Sequence, residues 1–64
     1  MFALRHRGSN DWATKLPHEY IHLVECRDWL LVKYNALTFW SEDEAAKARD
    51  KDPEGDALLI EEIK

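Results

Sequence analysis

The chain has 64 residues, a formal net charge of −4, 45% apolar residues and one cysteine, Cys26. At this length a single domain, 1–64, with one thin core is expected, burying roughly 60% of the surface its unfolded chain exposes. One cysteine excludes an intramolecular disulfide, and three Trp, two Tyr and two Phe at moderate charge argue against disorder.

No run of the sequence approaches the 18 or so apolar residues of a membrane span, and the opening "MFALRHRGSN" turns polar too early for the core of a signal peptide. The expectation is a cytoplasmic protein without a membrane partner, its lone Cys26 a small apolar residue in a reducing compartment. Charge is unevenly placed. Residues 1–40 hold five Lys/Arg and four Asp/Glu, whereas residues 41–64 hold four and nine. Clustered Lys/Arg, the footprint of a phosphate backbone, is missing, so no direct nucleic-acid partner is expected; Arg5, His6 and Arg7 read as a solvated strand end.

In chain order, "MFALRHR" alternates Phe2 and Leu4 with Ala3 and Arg5, the period of a strand. "GSNDWATKLP" is a loop by composition, and its one large residue, Trp12, is expected to fold back onto the core. The middle segment, "HEYIHLVECRDWLLVKYNALTFW", admits two readings. As a hairpin, 20–24 and 29–34 are strands flanking Cys26-Arg27-Asp28. As one helix, Tyr20, Leu23, Val24, Leu31, Tyr34 and Leu37 fall at helical intervals. The hairpin is favoured, because Arg27 and Asp28 interrupt the helical stripe and residues 29–32 would put apolar groups around the whole circumference.

In "FWSEDEAAKARDKDPEGD" Ser41 precedes a helix-forming run and Glu44 stands three residues on, a capping box in which Ser41 accepts from the Glu44 N–H and the Glu44 carboxylate reaches back to the Ser41 N–H. Glu42 and Asp43 suit the positive end of that helix, and Lys47, Arg49 and Lys51 the other end. Asp52-Pro53-Glu54-Gly55 ends it, with Gly55 free to take a positive φ, so a helix over about 42–51 is predicted. "DALLIEEIK" closes the chain as a strand. The expected fold is α+β: a small three- to four-stranded, mainly antiparallel sheet with one short helix packed on it, in the order β-β-β-α-β.

Within "LPHEYIH", His18, Glu19 and His22 have the spacing His-Glu-x-x-His. On a helix that spacing aims two imidazoles at Zn²⁺ and leaves the Glu as general base. Pro17 places His18 in the opening turn of any such helix, and the third ligand would have to come from Glu42 or Glu44, already explained by capping. On a strand, His18 and His22 share a face that Glu19 does not. A zinc-binding or zinc-dependent hydrolase role for His18 and His22 is therefore the runner-up, and no metal, cofactor or catalytic residue is assigned. Cys26 with His22 is a conceivable nucleophile and base, but the chain is too short for both a core and a substrate cleft.

The surplus of aromatic residues bears most on function. Phe2, Trp12, Tyr20, Trp29, Tyr34, Phe39 and Trp40 exceed what one helix and a small sheet can cover, and exposed Trp and Tyr concentrate binding energy at interfaces. The acidic helix could meet a basic partner surface. The layout of "FWSEDEAAKARDKDPEGDALLIEEIK", a capped acidic helix leading into a final "LLIEEI" strand after an aromatic-rich hairpin, resembles the small accessory proteins encoded by phages and prophages. That resemblance implies a non-enzymatic protein that binds and inhibits or redirects a host protein such as a defence nuclease or polymerase. The expected function is a protein-binding module that occludes a site on a protein partner, with Trp29, Tyr34, Phe39, Trp40, Glu42 and Asp43 as contacts. A homodimer, or a structural subunit of a homo-oligomer, is a further alternative.

Overall fold

The computed structural model of the chain describes residues 1–63. The fold is α+β: an antiparallel sheet of five strands with one main helix, joined by a second, shorter helix. The order is β1 (Phe2–His6), β2 (Trp12–Lys15), β3 (Glu19–Ile21), α1 (Asp28–Lys33), β4 (Thr38–Phe39), α2 (Glu42–Asp50), a 3₁₀ turn (Gly55–Ala57) and β5 (Leu58–Glu62).

β1 is the centre of the sheet. Along one side β5 pairs with its whole length, from Phe2↔Glu62 to His6↔Leu58. The other side is shared: β2 takes the C-terminal part through Arg5↔Trp12, β4 takes the start through Phe2↔Phe39 and Ala3↔Thr38, and the Leu37 N–H donates to the Ala13 carbonyl (2.9 Å) where the two meet. β3 then pairs with β2. The β1–β2 hairpin turns through residues 7–10, with Asn10 in the left-handed region (φ 62°) and the His6 backbone bonded to Asn10 and Asp11. Asn accepts that conformation at small cost, which suits a turn closing on a bulge.

Strand alternation divides the core in two. Ala3, Trp12 and Ile63 face one side, where Leu31 of α1 completes a buried cluster edged by Ile21, Leu23, Cys26 and Ala36. Leu4, Ala13 and Leu58 face the other, where Ala45 of α2 completes a second, edged by Phe2, Leu16, Tyr20, Leu37, Phe39, Ala48 and Ile60. The sheet is thus sandwiched between a short helix and a longer one, so side chains of both parities along β1 are buried.

The helix over 42–51 forms as its sequence dictates. The Ser41 hydroxyl accepts from the Glu44 N–H (3.2 Å), and Ala45 and Ala48 turn toward the sheet. The return bond differs from expectation: Glu44 Oε2 accepts from the Trp40 N–H (3.4 Å), one residue before the cap. Gly55 has no positive φ; a Cβ there would collide with the Arg49 carbonyl, so its place is fixed by close approach of backbone.

Two expectations about the elements themselves also fail. Residues 12–15, read as a loop, form β2, although Trp12 is fully buried as expected. The hairpin across 20–34 is half right: β3 is its first arm, but 28–33 is α1. The helix wins because its end is a Schellman motif. Asn35 adopts φ 56°, its N–H donates to the Val32 carbonyl (3.1 Å), and the Ala36 N–H donates to the Leu31 carbonyl (2.8 Å). Ala36 and Leu31 then pack on the same cluster, the apolar contact that accompanies this motif.

Candidate interaction surface

Only Leu31 of α1 is buried, so the helix is held from beneath by one side chain and at its end by Asn35. A six-residue helix with apolar groups on all sides must display some of them. Trp29 is 59% exposed and Val32 58%, and their spacing of three puts them on one side of the helix. Tyr34, also exposed, follows at the C-cap with the Lys33 ammonium 5.7 Å from its ring centroid. Val24, in the segment leading into α1, is 91% exposed. The circumference of apolar groups that argued against a helix is the surface the helix presents.

The expected contacts separate into two places. Trp29 and Tyr34 go with α1 on one face of the sheet, while Glu42 and Asp43, both exposed, open α2 on the opposite face. Trp40, 82% exposed, stands just before the α2 cap, two and three residues ahead of those carboxylates. Phe39 belongs to neither: paired with Phe2, it packs on the α2-side core. Sequence reasoning missed Val32, whose signal was present in the i, i+3 spacing from Trp29 and the Asn35 stop.

The zinc reading loses its geometry. Residues 19–21 are a strand, so no helical turn aligns His18 with His22, and Glu19 is an exposed first residue of β3. His22 Nδ1 lies 2.9 Å from Asp11 Oδ1 across the sheet edge. Among the described residues no three His, Cys, Asp or Glu side chains are grouped to hold a metal ion.

Cys26 is half-buried against the α1-side core. Burial pushes its thiol up from the ordinary value; Arg5 pulls the other way, and Glu61 and Asp28 add to the rise. A thiol so placed is a poor nucleophile, and with the His22 ring turned to Asp11 the pair does not assemble.

A cleft of about 430 Å³ between the end of β1 and the α2–β5 connection is lined by Arg7, Arg49, Asp50, Asp52 and Asp56 among others. Its two guanidinium groups face three carboxylates, so it offers no field of one sign to a charged ligand. No helix among the described residues is long and apolar enough to cross a membrane. Comparison with protein-family models, with curated proteins and with solved structures finds no match to the chain.

Proposed function

We propose that this chain is a non-enzymatic protein-binding module that docks through the outward side of α1, with Trp29 as anchor and Val32 beside it, while Tyr34 at the C-cap flanks the other side of the helix and Val24 lies in the segment that leads into it. The observation that carries the reading is the Trp29–Val32 pair, more than half exposed on a helix whose position is set by Leu31 and by the Asn35 cap. A tryptophan presented on an ordered element surrenders little conformational freedom on binding, and Trp and Tyr lead the residue types found at hot spots. Contiguous exposed apolar groups of this kind mark interaction surfaces.

The mode of action is occlusion: the module covers a site on a host protein, such as a defence nuclease or polymerase, in the manner of phage accessory proteins. Trp40 with Glu42 and Asp43 forms a second, acidic contact on the other face, suited to a basic patch on the same or another partner.

A photo-crosslinking residue at position 32 in the native host captures the partner, which is then purified and titrated. Trp29→Ser is expected to weaken binding at least about 30-fold, the factor of a hot spot. Unchanged affinity with an intact fold would remove α1 from the interface.

A further inference from the structure

Apart from the two-residue β4, the sheet ends in β3 and β5, and these two edges are closed differently. β3 has three residues, its pairing with β2 shifts register between Ala13 and Lys15, and Pro17, which has no N–H, lies two residues before it. Short length, irregular pairing and proline are devices that blunt an edge. β5 has none of these three, and its one such device is the charge of Glu61 and Glu62. Its five residues pair with β1 in unbroken register, and among the described residues no strand lies on its outer side.

Two bonds at the ends of the β1–β5 ladder show which backbone groups face outward. The Arg7 N–H donates to the Ala57 carbonyl (2.7 Å) and the Ile63 N–H to the Met1 carbonyl (2.8 Å). Residues that face the partner alternate in an antiparallel ladder. Ala57, Leu59, Glu61 and Ile63 therefore turn their amide groups toward β1, and Leu58, Ile60 and Glu62 turn theirs away. The Leu58 N–H is taken by the Gly55 carbonyl. The Leu58 carbonyl, both Ile60 groups and both Glu62 groups are left along the edge.

We propose that a second copy of this chain docks on this edge, β5 against β5 and antiparallel, about a two-fold axis at Ile60. In that register each Ile60 N–H donates to the Ile60 carbonyl of the other copy, and each Glu62 N–H to its Leu58 carbonyl. The four bonds leave the Leu58–Gly55 bond intact, and of the outward groups only the Glu62 carbonyl stays unused.

The side chains select the same register. With the axis at Ile60, Leu59 opposes Glu61 and Leu58 opposes Glu62, so no carboxylate faces another. Moving the axis one residue toward the C-terminus sets Glu61 against itself, and moving it one residue back sets Glu62 against Asp56; like charges directly opposite are destabilising. The contact is isologous and closes as a dimer, extending the sheet across both copies. Leu59, 37% exposed on the outer strand, becomes covered.

Sedimentation equilibrium from micromolar to millimolar concentration tests this. The 7.6 kDa chain is expected to approach twice that mass. Leu59→Lys, which faces Glu61 of the second copy twice, should tighten the dimer about tenfold, and Leu59→Glu should loosen it by about the same factor. A synthetic chain N-methylated at Ile60 loses an outward N–H and no internal bond, and is expected to stay monomeric with an unchanged circular dichroism spectrum. A chain monomeric at every concentration, a dimer indifferent to N-methylation, or equal loosening by both Leu59 variants would overturn the proposal. So would a monomer whose β5 edge takes up only a foreign extended peptide. Trp29→Ser lies off this edge and should leave the dimer unchanged, so failure here is distinguishable from failure of the α1 surface.

Discussion

The Arg5 guanidinium lies over the Trp12 ring, 4.2 Å from its centroid, while Arg5 Nη1 reaches Glu61 Oε1 at 3.3 Å. Arg5 and Trp12 are opposite one another on β1 and β2, so the contact follows from the register. α1 is too short to roof the whole face, and the Arg5 stem supplies cover that the helix does not. Trp12 is fully buried, yet its indole N–H has no partner, so its hold on the core is apolar and through the ring face. Arg5→Ala is expected to destabilise the fold by about 1–2 kcal/mol and Arg5→Met by less, since methionine keeps the apolar stem. Trp12→Ala should lose about 3–5 kcal/mol, enough to unfold a domain this small. Urea denaturation followed by far-ultraviolet circular dichroism measures all three.

Gly55 and Gly8 separate two demands on glycine. A Cβ at Gly55 meets the Arg49 carbonyl, which cannot move without shifting the end of α2, whereas at Gly8 it meets the His6 ring at 3.3 Å, a side chain that can yield. Gly55→Ala is expected to cost about 1–3 kcal/mol and Gly8→Ala less than about 0.5 kcal/mol in thermal denaturation.

The cap at Ser41 and the stop at Asn35 are each open to a single change. Ser41→Ala should destabilise by about 1 kcal/mol, with Ser41→Asp near neutral. Asn35→Ala removes the short polar side chain that eases a φ of 56° and should cost about 1 kcal/mol, with Asn35→Gly close to wild type. Hydrogen exchange distinguishes them: the Asn35 variant loses protection in α1, the Ser41 variant in α2.

How much of this was legible in the sequence follows the range of the interactions. α2 could be read because Ser41, Glu44 and Pro53 act within a turn or two of themselves, β1 because its alternation is local, and β5 because the apolar run Leu58-Leu59-Ile60 follows a turn. β2 could not: it has four residues, and pairing with β1 and β3 makes it a strand. α1 is hard to read because six residues are too few for a sustained helical pattern, and its decisive signal is the single stop residue Asn35. Among the expected contacts, Trp29, Tyr34 and Trp40 are exposed, but no local pattern could say that Phe39 would be claimed by Phe2, or that the two helices lie on opposite faces.

Alkaline conditions should weaken the fold. Burial raises the Cys26 thiol above its ordinary 9.0, and burial followed by the charges of Glu54 and Asp52 raises the Tyr20 phenol above 10.0. The Tyr20 hydroxyl donates to the Pro17 carbonyl (3.1 Å), an arrangement that needs the proton in place. Both groups hold protons more tightly folded than unfolded, so their contribution is complete below pH 9 and is lost as pH climbs through the raised values. Melting temperature should fall above pH 9, and Cys26→Ser should reduce the part of that fall nearest 9.

The surface of α1 is tested most directly by calorimetric titration of the captured partner with the wild-type chain, Trp29→Ser, Val32→Ser and, as a control on exposed α2, Lys47→Ala. A large loss of affinity is expected for Trp29→Ser, a smaller one for Val32→Ser and none for Lys47→Ala, all four proteins melting alike. Equal affinities across the four would contradict docking through α1.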